Sequence, residues 1–384
     1  MAPNQAVATT ARLIARAGDP YTSSTYRTGG VHSVVLCDYI RQARRSVPID
    51  LESLPTEELL DLRLCDLGLT VSGTWLEDCL ERLQDELTDA GLKRFRLHAW
   101  LSDEWCCPDG IPGIGIPFYL GHPRLMRLER QMMFEVEGGT RIECMRLLRH
   151  EAGHALQHAY NLQRRKRWQR AFGRASEPYP DYYRPNPLSK GFVEHLDGWY
   201  AQAHPVEDFA ETFAVWLAPR SNWRRRYAHS PALEKLEYTD ELAGDLSDKK
   251  PQVRSRAKPY SLPRLRYTLR RHYERRQDHY SPGFSDEYDR DLGKIFSDSP
   301  RYRNNETAAS FLRRNRRQIR EQIALFSGEY QFTVDQVLRD IIGRCRELRL
   351  RLTKGERQTK LDFAIMLTVH TVHLLHRRDT WHPL

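Results

Sequence analysis

The sequence predicts an α+β fold that is predominantly helical, with a separate helical unit in its last third. Three observations predict it: long segments in which apolar residues recur at intervals of three and four, only two short segments of strand character, and an uneven distribution of charge. The chain has 384 residues, of which 40% are apolar, so it is long for one domain and has enough apolar material for a sizeable core.

The charge distribution divides the chain. The net charge is +9, yet the last 134 residues, from Pro251 to Leu384, hold 28 Lys or Arg against 16 Asp or Glu, and the rest has a slight negative excess. Such asymmetry indicates a unit with its own surface role. We therefore expect a mobile polar tail over residues 1–30, a mixed domain over 31–250 and a basic helical domain over 251–384.

Residues 31–120 contain the expected strands. The segments VVLCDYIRQAR, TEELLDLRLCDLG and TWLEDCLERLQDEL have helical spacing. Arg94–Leu101 alternates and predicts a strand, and Ile114–Leu120 predicts a second strand. Pro117 suggests that this second strand lies at a sheet edge, because proline lacks the N–H that an inner strand donates.

The segment Thr140–Leu162 predicts a long helix. Three histidines follow one another at intervals of four on one side, and a stripe of apolar residues covers roughly the opposite side: Met145, Leu148, Ala152, Ala155 and Ala159. A helix with two partly apolar sides is expected to lie at the centre of its domain.

A Pro- and Tyr-rich insert follows over residues 173–190 and is not one regular element. A second helix is expected over His204–Leu217, with Pro205 at its first position. Residues 219–262 have the composition of a boundary. Beyond it, helices are expected around Leu262–Tyr273, Thr307–Phe326, Val334–Leu352 and Leu361–Arg377.

The seven cysteines are an odd number and include no C-x-x-C pair. This pattern argues against a disulfide framework and a structural zinc ribbon, and favours buried thiols in a reducing compartment. We find no apolar run of about 18 residues and no secretory signal in the first thirty residues. A cytoplasmic location without membrane contact is the resulting expectation.

The motif H-E-A-G-H spans His150 to His154. Histidines at i and i+4 lie on one face of a helix with their Cβ atoms about 5–6 Å apart, and two imidazoles at that spacing can bind one zinc ion. Glu151 can reach a water at the metal and take its proton as a general base. Motif and context together predict Zn²⁺ as the cofactor.

A third ligand must come from elsewhere. The metzincin pattern needs Gly and His where this chain has Gln157 and Tyr160, so that class is excluded. His158 lies about 6 Å further along the helix axis than His154, which is awkward for the same ion. Glu207 and Glu211 remain, one turn apart on the second helix, and spacing alone does not choose between them.

Several strings resemble a bacterial family of zinc-binding metallopeptidases, densely from about residue 95 to 240. They are GIPGIGIPFYLGHPRLMRLE, LLRHEAGHALQHAY, FGRASEPYPDYYRPNP, HLDGWYAQAHPVEDFAETFAVWL and WRRRYAHSPALEKLEY. The resemblance implies a zincin-like metallopeptidase core over residues 31–250, followed by the C-terminal helical domain.

A more distant resemblance concerns lethal-factor-like peptidases, which pair H-E-x-x-H with a later E-x-F-A-E helix. The string E-D-F-A-E here then implies Glu207 as the third ligand, as in gluzincins, and Glu211 as a support for a ligand histidine. It also implies Tyr200, seven residues earlier, as a catalytic tyrosine.

The expected function is zinc-dependent hydrolysis of peptide bonds, with Glu151 as general base and a peptide or protein as substrate. The strand Ile114–Leu120 could hold the peptide by strand addition. The alternative is a non-catalytic zincin scaffold that binds peptides or nucleic acid. A cluster of arginines motivates the nucleic-acid version, although no fingerprint of a nucleic-acid fold accompanies it: Arg313, Arg314, Arg316, Arg317 and Arg320.

Overall fold

A computed structural model describes residues 49–180, 183, 185–280 and 288–377. The expected tail at 1–30 and the segment VVLCDYIRQAR lie outside the described residues. The helices are α1 (Thr56–Asp61), α2 (Trp75–Asp89), α3 (Pro123–Met133), α4 (Arg141–Tyr160), α5 (Lys166–Phe172), α6 (Pro205–Leu217), α7 (Trp223–Arg226), α8 (Ala232–Leu246), α9 (Leu269–Tyr280), α10 (Tyr288–Ile295), α11 (Ala308–Ser327), α12 (Gln331–Glu347) and α13 (Glu356–Arg377).

The predicted class, predominantly helical α+β, is confirmed. Strand β1 (Ala99–Ser102) pairs in parallel with β2 (Ile114–Pro117), and β3 (Phe296–Ser297) pairs antiparallel with β4 (Arg351–Leu352). Among the described residues, no helix has both the length and the apolar character needed to cross a bilayer.

The expectation that Ile114–Leu120 forms an edge strand is wrong. The strand ends at Pro117 and continues as a 3₁₀ turn. Gly115 has neighbours on both sides, because it pairs with Trp100 of β1 and also forms an antiparallel bridge with Cys106. The outer element is therefore the segment around Cys106, which the sequence analysis treated as a loop.

Helices α4 and α6 form the centre of the N-terminal part. Thr140 caps the start of α4 by accepting a hydrogen bond from the Glu143 N–H, and Asn161 ends it in the left-handed conformation. Most of α4 is buried. Its Gly153 faces α6 so closely that an added Cβ would lie 2.8 Å from the Ala210 Cα atom. Only glycine permits this approach, which brings the polar residues of the two helices together.

The largest cluster of buried apolar side chains begins at Leu51 and includes residues of α9, and it also takes in Tyr330 and Phe332 at the start of α12. A second cluster extends from Tyr288 to Leu367. The expected domain division at residue 250 stays a prediction. Residues 219–262 are more ordered than a boundary composition suggests, since they contain α7 and α8.

Most of the arginines that motivated the nucleic-acid alternative are engaged in ion pairs. Arg316 and Arg320 of α11 both contact Asp335 of α12, which is fully buried. Arg314 pairs with Glu306 and Glu356, and Arg317 pairs with Glu321. The pairs of Arg314, Arg316 and Arg320 connect α11 to other segments, whereas the Arg317–Glu321 pair lies within α11. All of these pairs leave fewer unpaired charges for an external polyanion.

Candidate metal centre

The structure brings His150 and His154 of α4 against Glu207 of α6. The two Nε2 atoms are 3.1 Å apart, and each lies 3.2 Å from Glu207 Oε2. Within the described residues this is the one group of three or more His, Cys, Asp or Glu side chains close enough to hold a metal ion.

The size of this triangle fits a zinc site. Ligand atoms at about 2.0–2.1 Å from a tetrahedral zinc ion are roughly 3.3 Å from one another, close to the observed edges. His150 is fully buried and Glu207 is 5% exposed, so these converging polar atoms have little access to water. The residues therefore suit a divalent cation with nitrogen and oxygen ligands.

Glu211 fixes the tautomer of His150. Its Oε1 atom lies 2.8 Å from His150 Nδ1, and its Oε2 accepts the backbone N–H of Leu196 at 2.8 Å. A carboxylate only accepts hydrogen bonds, so His150 Nδ1 carries a proton and Nε2 is the nitrogen that faces Glu207 and is left for a metal. This is the support that metal-binding histidines usually have, and it separates the roles of the two glutamates.

The insert supplies an unexpected contact to Glu207. The Tyr179 hydroxyl donates to Glu207 Oε1 at 2.5 Å, which leaves Oε2 directed at the histidines. The Tyr179 ring stacks on His204 at 3.9 Å between ring centres. His204 accepts the Val206 N–H as the cap of α6 and bonds the Glu177 carbonyl. One histidine thus anchors both the insert and the helix that presents Glu207.

The charges of the centre favour a cation. Burial lowers the pKa of His150, but hydrogen bonds to Glu207 and Glu211 outweigh burial and raise the pKa to about 10. Burial raises the pKa of Glu207, yet the charge of His154 and hydrogen bonds to both histidines hold it well below its usual value. A potential negative enough to hold a proton on the buried His150 ring also attracts metal ions.

Glu151 is 1% exposed and lies next to His150 on α4. Burial raises the pKa of its carboxyl, and the nearby charges of His154 and His150 partly offset this effect. Tyr200 is also buried, with its ring centre 5.7 Å from that of His150. It follows directly after Gly198 and Trp199, which have left-handed backbone angles. Both residues predicted to be catalytic therefore lie at the centre.

His158 is outside the triad but has a structural role. Its Nδ1 accepts the Gly110 N–H at 3.3 Å, and its Nε2 lies 3.8 Å from Asp109. Burial, and then the charge of His154, lower its pKa to about 4, so the ring is neutral near pH 7. It ties the segment after Cys106 to α4, one turn beyond the second histidine of the motif.

Tyr179, His204 and the backbone of Leu196 are parts of the centre that were not predicted from the sequence. His204 had a signal, because it precedes Pro205 at the expected helix start. Tyr179 had none, since the chain has eighteen tyrosines and the insert has no periodicity.

Comparison with known proteins bears out the resemblance noted in the sequence. Residues 143–237 match the family described as "Putative zinc-binding metallo-peptidase". The match covers α4, the insert and α6, and so includes all three residues of the triangle. Neither the curated proteins nor the solved structures yield a match.

Proposed function

We propose that this protein is a zinc-dependent peptidase in which His150, His154 and Glu207 hold the metal. The observation that carries the proposal is the triangle of donor atoms at 3.1–3.2 Å in a buried setting. The family match to metallopeptidases supports the same class of reaction. Bound zinc supplies Lewis-acid chemistry, which acidifies water and polarises a carbonyl group.

Glu151 is the general base of this proposal. It is one residue from His150 on the same helix, and no described Lys or Arg is among the charges that act on it. Its carboxylate takes the proton of the attacking water, and the carboxylic acid so formed passes that proton to the leaving amine. A buried carboxylate that metal binding does not require is better explained by turnover than by a scaffold that only binds.

Tyr200 is proposed to donate its hydroxyl hydrogen bond to the oxygen of the carbonyl under attack. Burial is the main cause that raises the pKa of Tyr200 well above its usual value, and the charge of Glu207 is the next. The phenol therefore keeps its proton. Tyr179 and Glu211 do not contact substrate in this scheme. They orient Glu207 and His150.

The substrate-binding edge is proposed to be the segment around Cys107. Cys106 exchanges both backbone hydrogen bonds with Gly115 of β2, so the backbone groups of the next residue point away from β2. After burial, the charge of Glu151 is the next cause that raises the pKa of Cys107, which indicates that this edge borders the centre. A peptide could pair there by strand addition.

The test compares zinc content and peptide cleavage in wild type and Glu151→Gln. We expect about one zinc per chain in both proteins, and a loss of about 10²–10⁴-fold in cleavage of a mixed peptide library in the variant. Glu143→Gln, the same change in the first turn of the same helix, is the matched control and should cleave normally. Zinc binding without any hydrolysis by wild type would favour the non-catalytic scaffold instead.

The cysteines support a reducing compartment such as the cytoplasm. All six cysteines in the described residues are free, and Cys79, Cys144 and Cys345 are buried. Oxidising compartments favour disulfides. The test is to isolate the protein from cells and unfold it in the presence of an alkylating reagent. We expect all of these cysteines to be alkylated.

A further inference from the structure

A second concave site lies outside the metal centre. It is a cavity of about 380 Å³ between residues 94–98, which directly precede β1, and residues 249–260, which we call the strap. The strap has no helix or strand apart from a turn and connects α8 to the C-terminal part. A cavity of this size is within the range of small-molecule sites, about 300–1,000 Å³.

The strap is held at both ends, so the cavity is preformed. At one end, the backbone N–H groups of Gln252 and Val253 donate to the Ala159 carbonyl at 2.8 and 3.0 Å. At the other end, Trp100 Nε1 donates to the Pro259 carbonyl at 2.9 Å, and Ser102 Oγ donates to the carbonyl of Tyr260 at 3.0 Å. These anchors fix the strap between the last turn of α4 and strand β1.

The charges around the cavity have one sign. Five cationic side chains line it, and no carboxylate is among its lining residues: Arg94, Arg96, Lys250, Arg254 and Arg256. None of the five forms an ion pair with another described residue, whereas many arginines elsewhere in the described chain are paired. Like charges gathered on two facing walls repel one another, and a bound anion would relieve that repulsion.

The rest of the wall is apolar and stiff. Phe95 and Ala159, which line the cavity, are both buried, and His98 stacks on Trp100 with ring centres 5.5 Å apart. Burial lowers the pKa of His98, and the charges of Arg256 and Lys258 lower it further. The positive potential is therefore felt inside the cavity as well as at its rim.

We propose that this cavity binds a compact anion that carries two or more linked phosphate groups. Four of the five cations are arginines, whose planar guanidinium groups bind phosphate oxygens in pairs. Five positive charges around a small volume match an anion with several negative charges in close proximity. A nucleic-acid strand is less suitable, because it needs an extended basic track and this cavity is concave and short.

The phosphate site is separate from the metal centre. Ala159 follows His150 by nine residues on α4, which places the two on opposite faces of the helix, about 180° apart. The site adds to the proposed peptidase function and does not depend on it. Because the strap is bonded to the last turn of α4, an anion bound there would also stiffen the end of the metal-binding helix.

The experiment is calorimetric titration of the full chain with inorganic pyrophosphate at low ionic strength. Wild type should bind one pyrophosphate per chain. Arg254→Glu/Arg256→Glu should bind at least about tenfold more weakly, since charge-assisted hydrogen bonds are lost. Arg313→Glu/Arg346→Glu is the matched control, because it changes the net charge equally at two exposed arginines outside the cavity. It should bind as wild type does.

A second variant keeps the test valid if the strap variant is poorly folded. Arg94→Ala/Arg96→Ala alters the opposite wall, and it should also weaken pyrophosphate binding about tenfold. No binding by wild type, or equal weakening in the cavity and control variants, would overturn the proposal. So would a short single-stranded oligonucleotide that binds more tightly than pyrophosphate and loses its binding in the same cavity variants.

Discussion

Glu211 Oε1 lies 2.8 Å from His150 Nδ1, with both side chains buried. This contact gives the second glutamate of E-D-F-A-E a role distinct from that of Glu207. It holds the imidazole in one orientation, with a proton on Nδ1. The first prediction follows from it.

Glu211→Gln should weaken zinc binding about 10–100-fold. In the wild type each carboxylate oxygen of Glu211 accepts one hydrogen bond, from His150 Nδ1–H or from the Leu196 N–H. The amide of the glutamine has only one oxygen, so one of these two donors loses its acceptor. Zinc affinity is measured by competition with a chromophoric chelator, with Glu143→Gln as control. Affinity equal to wild type would remove Glu211 from the metal centre.

Tyr179→Phe should reduce zinc affinity about tenfold, because it deletes a hydrogen bond to a charged carboxylate. Without it, Glu207 can rotate away from the histidines. Tyr183→Phe is the control, since Tyr183 belongs to the same insert but donates to the Gly198 carbonyl. If both variants lost affinity equally, the order of the insert, and not the contact with Glu207, would be responsible.

Gly153→Ala should lower the free energy of unfolding by about 1–3 kcal/mol. The new methyl group meets the Ala210 Cα atom and carbonyl oxygen, so α4 and α6 must separate. Gly244→Ala in α8 has open space around the added methyl group and should stabilise the protein by about 0.5–1 kcal/mol. Urea unfolding of the two variants gives both values. Similar stability changes in both would contradict the close approach of the helices.

Below pH 6.5 the protein should lose stability partly because of His272. Its ring is buried between Phe118 and Tyr273. Burial, then the charges of Arg276 and Arg275, hold its pKa well below the usual value. The unfolded chain therefore binds a proton near pH 6.5 that the folded chain does not bind, and stability falls as the pH decreases.

One such group contributes a slope of about 1.4 kcal/mol per pH unit. The slope is measured by urea unfolding between pH 5 and pH 7, a range given by the ordinary histidine pKa of about 6.5. His272→Leu should reduce the slope of the unfolding free energy against pH by the contribution of one proton. His229→Leu, which removes an exposed histidine, should keep it. An unchanged slope in His272→Leu would show that His272 accepts a proton in the folded state.

The sequence predicted much of the metal centre because helices impose fixed spacing. His150, His154, Glu207 and Glu211 are separated by whole turns within their helices, so their common faces can be derived from chain positions. No comparable rule predicts from the sequence how close α4 and α6 lie to each other. The choice between the glutamates came from resemblance, and their two distinct contacts are visible only in the structure.

Features that depend on contacts between distant segments were not predicted. Cys106 pairs with Gly115 across a turn that has no periodicity, so the sheet edge was assigned to the wrong segment. The strap contacts β1 through Trp100 and Pro259, which are 159 positions apart. Pairings across such separations leave no local pattern in a sequence. Helix α8 was missed because its flanking Pro, Gly and charged residues resemble a linker.

The separation of the two halves of the metal centre has a kinetic consequence. His154 and Glu207 are 53 positions apart, and the insert between them must be closed into a loop before they meet. Closing a loop of this length lowers the entropy of the chain, and this loss is offset only by contacts that form later. The helix that carries both histidines can form early. The three ligands come together only after the loop between the two helices has closed. During refolding, zinc capture should therefore follow the formation of most of the helical signal.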